Sequence, residues 1–188
     1  SAYSEESVVR CSRQTILSVN DAPSITPVQP VVDPVGFPAC QLVDANMLDV
    51  DYDAIIGVAL TEVSGNGEWM FRLKTASEWT KISPVSAAAP LLLSCDYEIM
   101  YDATGFVGSD APTISFQAWD RTKGEVGRRV PGVMDDCDEV APAPRTCAFS
   151  VEVDTATFSN NAPTLSAYEC NTLFTGTTED AKSVGNTV

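Results

Sequence analysis

One short phrase, present twice, constrains this 188-residue chain more than any other feature. Asn20-Asp21-Ala22-Pro23 returns as Asn160-Asn161-Ala162-Pro163, and the prolines at 23 and 163 set a period of 140 residues. Each copy follows a β-rich run, residues 15–19 in the first case and 150–158 in the second. An Asx residue accepts turn geometry and proline fixes its own φ, so the phrase reads as a stiff joint between β modules. The expected organisation follows: residues 1–19 end a preceding repeat, 20–159 form one complete repeat, and 160–188 begin the next.

A chain that is 44% hydrophobic with mean hydropathy +0.01 can bury a core. Its 11 basic residues against 26 acidic ones give net charge −15. Such a field repels phosphate backbones and anionic membrane surfaces and attracts cations, so neither nucleic acid nor a membrane is an expected partner. No apolar run is long enough to span a bilayer, and residues 1–10 have no signal-peptide apolar stretch. A soluble, processed or excerpted extracellular piece is expected.

Cys11, Cys40, Cys95, Cys137, Cys147 and Cys170 include no C-x-x-C pair, and histidine is absent, so common zinc spacings do not occur. Disulfides formed in an oxidising compartment account for the cysteines better. Cys137 and Cys147 bracket a proline-rich loop and are the first expected pair, with Cys40 and Cys95 the second. Cys11 and Cys170 fall in the partial repeats.

Four prolines in residues 24–46 exclude a helix and favour an edge strand or extended arm. Alternation then predicts strands around Ile56, Val58 and Leu60, around Trp69, Phe71 and Leu73, and near Trp79. Further strands are expected at Tyr97, Ile99 and Tyr101, at Ile114, Phe116 and Ala118, and at Phe149, Val151 and Val153. Leu91-Leu92-Leu93 reads equally as strand or buried turn, and 120–146 as a long acidic loop. With no sustained helical period, about seven short strands predict an all-β sandwich whose core includes Trp69, Trp79 and Phe116.

Catalytic chemistry is poorly supplied. Without histidine there is no imidazole base or triad, and the turn at Gly65-Asn66-Gly67 is no phosphate cradle, so an enzyme is not expected. The acids are more informative. Asp49 and Asp51 share one face of an extended segment, Asp53 continues the row, Asp120 follows a strand, and Asn20 and Asp21 lie at the joint. Calcium takes about six to eight oxygen ligands, and these residues converging at a module boundary would form a calcium hinge. Equally, they read as solvated loop acids with Asn20 closing an Asx turn.

As a set, these motifs resemble the cadherin-like, VCBS-type tandem repeats of large extracellular adhesion proteins. The resemblance rests on Val19-Asn20-Asp21-Ala22-Pro23, on Leu48-Asp49-Val50-Asp51, on Gly65-Asn66-Gly67-Glu68-Trp69, and on the run from Ile114 to Gly124 with its Ala118-Trp119-Asp120. It spans roughly residues 15–188. It implies an Ig-like or cadherin-like sandwich in a tandem array, and a calcium set of Asn20, Asp21, Asp49, Asp51 and Asp120. Asn161 in place of an acid at the second joint, and no glutamate at the module base, depart from that pattern. The cysteines and Ala141-Pro142-Ala143-Pro144 resemble eukaryotic surface proteins, in which such Ala-Pro tracts are O-glycosylated. A flagellar-hair (mastigoneme) or cell-wall filament fits that context.

The expected function is therefore a structural, non-catalytic repeat of an extracellular surface or filament protein. Its partners would be neighbouring repeats, further copies or other surface proteins. The alternatives are a carbohydrate- or receptor-binding module using exposed aromatics and the 120–146 loop, and a glycan-acting enzyme with two carboxylates in a cleft.

Overall fold

The computed structural model describes residues 20–33, 35–51, 53–103, 111–132 and 147–158, and within them the chain is all-β apart from one 3₁₀ turn. In chain order the strands are β1 (Ser24–Ile25), β2 (Val31–Val32), β3 (Phe37–Pro38), β4 (Met47–Leu48), β5 (Gly57–Val63) and β6 (Glu68–Leu73). They continue as β7 (Thr80–Lys81), β8 (Leu91–Ser94), β9 (Tyr97–Asp102), β10 (Thr113–Trp119), β11 (Arg128–Arg129) and β12 (Asp154–Phe158). The chain divides into two compact units, 1–158 and 159–188. The second unit lies outside the described residues, as do residues 1–19 and the second joint.

A six-stranded sheet has the order β11-β8-β5-β10-β12-β2, a four-stranded sheet the order β3-β9-β6-β7, and β1 pairs with β4. All pairings are antiparallel except β12 with β2, which run parallel at one edge of the larger sheet. The period-two residues of both sheets turn into one shared core. Val58, Leu60, Leu93, Ile114, Phe116 and Ala156 come from the larger sheet, and Phe37, Trp69, Ile99 and Tyr101 from the smaller. Phe158 joins the layers, its ring 5.0 Å from Trp69, 5.8 Å from Tyr101 and 6.3 Å from Phe37. Burial of an aromatic of this size is worth roughly 1.5–3 kcal/mol, so these contacts are a main source of cohesion between the sheets.

A second apolar cluster covers the other face of the larger sheet. Ala59, Leu92 and Trp119 meet Cys147, Ala148 and Phe149, with Ala22, Val126 and Val130 against them. The Trp119 and Phe149 rings stack at 6.4 Å. Both faces of β8 are therefore covered, and Leu91-Leu92-Leu93 is a fully buried strand with no alternation.

Several expectations are corrected. The strand expected through Phe149, Val151 and Val153 is absent: Phe149 forms only an isolated bridge with Trp119, Val151 and Val153 are exposed, and the strand is β12. Alternation at 149–153 reflects docking on a covered outer face, not a sheet register. Trp79 is half-buried at the surface, with the Arg72 guanidinium 4.3 Å above its ring, and is not a core residue. The proline-rich arm contains short strands plus the 3₁₀ turn Ala39–Leu42, which follows Pro38. The expected acidic loop carries the basic strand β11.

Cys40 and Cys95 form a disulfide with their Cα atoms 4.9 Å apart. Cys147 is also disulfide-bonded, to a partner outside the described residues. Cys11, Cys137 and Cys170 all lie outside them, so the expected pairing of Cys137 with Cys147 rests on a residue outside the described ones.

Candidate cation site at the joint

Residues 20 and 21 are fastened to the fold by hydrogen bonds to acids far away in sequence. Asn20 Nδ2 donates to Asp120 Oδ2 at 2.8 Å and to the Cys147 carbonyl at 3.4 Å. The Asp21 N–H donates to Asp51 Oδ2 at 2.8 Å, and the Asp51 N–H in turn to Asp49 Oδ1 at 2.9 Å. Pro23 is buried beyond them, and the chain enters β1.

Each acid is held by the local backbone. Asp120 follows the last residue of β10, and its N–H donates to the Ala148 carbonyl at 3.1 Å. Its Oδ1 accepts from the Thr122 N–H at 2.8 Å and the Thr122 hydroxyl at 2.6 Å, an Asx turn that leaves Oδ2 facing Asn20. Asp120 is only 4% exposed. Asp49 and Asp51 follow β4 outside any strand, Asp51 in a bend whose carbonyl accepts from the Ala54 N–H.

Asp21, Asp49, Asp51 and Asp120 are thus brought to one end of the module, together with Asn20. Asp53 is exposed and borders a cleft of ≈ 420 Å³ lined also by Asn20, Asp51, Ile55, Asp120, Arg121 and Thr122. Two carboxylate oxygens at this end, Asp21 Oδ1 and Asp49 Oδ2, are buried with no hydrogen-bond partner. Burial raises the pKa of Asp49, a hydrogen bond from the Asp51 N–H opposes the rise, and repulsion from Asp51, Asp120 and Asp21 adds to it.

A buried carboxylate oxygen without a donor is costly unless a proton or a cation meets it. Among the described residues no three Asp, Glu, His or Cys side chains are arranged to hold a metal by themselves. An ion here would therefore draw ligands from Asn20, backbone carbonyls and water as well. Each orphan oxygen can be met by a proton or by a hard cation, whereas the carboxylates by themselves form no metal site among the described residues.

Three participants were not expected from the sequence. The Thr122 hydroxyl fixes Asp120, the Cys147 carbonyl meets Asn20, and Arg121 lines the cleft with a left-handed backbone, φ 67°. Asp120-Arg121-Thr122, an Asx residue two positions before a threonine, was the available signal. No protein-family model, no curated protein and no solved structure matches this chain.

Proposed function

We propose that the chain is a structural, non-catalytic repeat of a large extracellular surface or filament protein. In this reading its two-layer β body is an Ig-like or cadherin-like sandwich, and the joint at residues 20–23 is stiffened by calcium. The observation that carries the reading is the pair of orphan oxygens, Asp21 Oδ1 and Asp49 Oδ2, among four carboxylates at one end of the module. Bound calcium would supply positive charge there and nothing catalytic. Asn20 and Asp21 belong to the joint, whereas Asp49, Asp51 and Asp120 belong to the module body, so an ion shared among them couples the two.

The carbohydrate-binding alternative has less support. It needs exposed aromatic rings, but Trp69 is 3% and Trp119 1% exposed, and one face of Trp79 is covered by Arg72.

The test is thermal unfolding of the 188-residue chain under non-reducing conditions, in EDTA and then in millimolar calcium. A ligand that binds only the native state stabilises it by about 2.7 kcal/mol at 100 times its Kd. The melting temperature is expected to rise with calcium, and the rise to vanish in Asp49→Asn/Asp51→Asn. Identical melts of the parent chain in both buffers would remove calcium from the reading.

A further inference from the structure

Four of the 11 basic residues, Arg121, Lys123, Arg128 and Arg129, fall within nine positions that include one acid, Glu125. The rest of the chain is strongly acidic. Among the described residues β11 is the end strand of the six-stranded sheet, so Arg128 and Arg129, both exposed, stand at a sheet edge. The segment is tied down on its inner side, where the Gly127 N–H donates to the Leu92 carbonyl at 2.7 Å and the Gly132 N–H to that of Ala88 at 2.8 Å. Among the described residues neither arginine forms an ion pair; Arg129 donates to the Pro84 carbonyl.

Charged side chains on an edge strand ordinarily keep copies of a protein apart. In a molecule of net charge −15, acids would do that, whereas arginines draw in the surface of another copy. We propose that the β11 edge, through Arg128 and Arg129, is a self-association surface that docks on an acidic face of a second copy of this chain. Exposed Asp44, Glu62, Glu78 and Glu152 supply acidic surface outside the basic run. The contact joins unlike surfaces: reciprocated across a two-fold axis it closes as a dimer, and unreciprocated it propagates into rings or open rows.

The test is sedimentation velocity of the 188-residue chain in EDTA, so that the outcome is independent of ion binding at the joint. It compares about 20 mM with about 500 mM NaCl, across which the screening length falls from roughly 20 Å to roughly 4 Å. Concentration-dependent association is expected at low salt, with an apparent Kd at least about tenfold weaker at high salt. Arg128→Glu/Arg129→Glu should sediment as a monomer, with its melt lowered only by the lost Arg129 bond to the Pro84 carbonyl. Arg128→Gln, which leaves the Arg129 contact intact, should weaken association partially and covers a folding failure of the double variant. The double variant keeps its acidic faces, so a small amount added to the parent chain should shorten the associated species. A parent chain that is monomeric at low salt, or association unchanged by either variant, overturns the proposal. So does a monomeric parent that binds heparin, which would make the edge a polyanion site.

Discussion

Removing the Asp154 carboxylate should loosen β2 from the sheet more than it disturbs the core. Asp154 is 2% exposed and is the first residue of β12. Its carboxylate accepts the Val28 N–H at 2.8 Å, the Gln29 N–H at 3.1 Å and the Thr155 N–H at 2.7 Å. Gln29 takes a left-handed backbone, φ 52°, to present its N–H. The two long-range bonds are charge-assisted and worth about 1.5–3 kcal/mol each, a gross loss of about 3–6 kcal/mol in Asp154→Ala. Two effects reduce it: the buried carboxylate no longer has to be desolvated, and Val28 and Gln29 are exposed, so their amides regain water. The net loss should be about 1.5–3 kcal/mol, a fall of roughly 5–10 °C in Tm for a unit of this size. Asp154→Asn keeps one acceptor oxygen and should lose about half as much. Urea unfolding in EDTA gives the stability, and hydrogen exchange gives its location, with the amides of Val28, Gln29, Val31 and Val32 exchanging faster while β5 and β10 keep their protection. An Asp154→Ala protein within about 0.5 kcal/mol of the parent would show that these bonds do not fasten β2.

Asp49→Asn should act with opposite sign in the two buffers. The Asp49 pKa is raised in the fold, so the native state binds the proton more readily than the unfolded chain does, and stability falls as pH rises through the raised pKa. In EDTA at neutral pH the amide should raise the Tm, with the gain shrinking as pH falls towards the ordinary carboxylate range; in calcium it should lower it. Gly67→Ala should cost about 2–3 kcal/mol in urea unfolding, because a Cβ there would lie 2.3 Å from the Asp102 carbonyl and 2.8 Å from the Tyr101 ring. The same turn loses the bond from the Gly67 N–H to the Tyr101 hydroxyl if Tyr101 is changed to Phe. Cys40→Ala/Cys95→Ala releases a loop of 55 residues and should cost about 4 kcal/mol by chain entropy, read as a lower urea midpoint without added reductant.

Strands were legible where one face is buried and the other is wet. Tyr97, Ile99 and Tyr101, like Ile114, Phe116 and Ala118, alternate in sequence and line the core in space. Alternation carried less information where the larger sheet is covered on both sides. Trp119 and Phe149 are buried on the outer face, so the residues leading into β12 had no sheet register to reveal. Asp49 and Asp51 were legible as close neighbours in sequence, but they lie outside any strand, where the shared side of i and i+2 does not apply. Asn20 meeting Asp120 is a contact across 100 residues, and no local pattern encodes it. Asp154 was unreadable for the same reason, since its partners Val28 and Gln29 lie more than 120 residues away. The basic run at 121–129 was missed, because residues 120–146 were read together as an acidic loop and only pairing with β8 sets Arg128 and Arg129 on a sheet edge.

The parallel pairing of β2 with β12 has a mechanical consequence. β2 lies near the amino end of the module, and β12 closes its carboxyl end, with Thr157 beside Val31 and Phe158 beside Val32. Tension along the polypeptide draws β2 towards its amino end and β12 towards its carboxyl end. In a parallel pair these pulls are opposed along the strand axis, so the ladder is loaded in shear and its bonds must break together, not one by one as in a peeling hairpin. The Asp154 bonds to Val28 and Gln29 lie at the start of the same seam and would carry load with it. Under tension, the module should therefore yield at this short seam before its core opens.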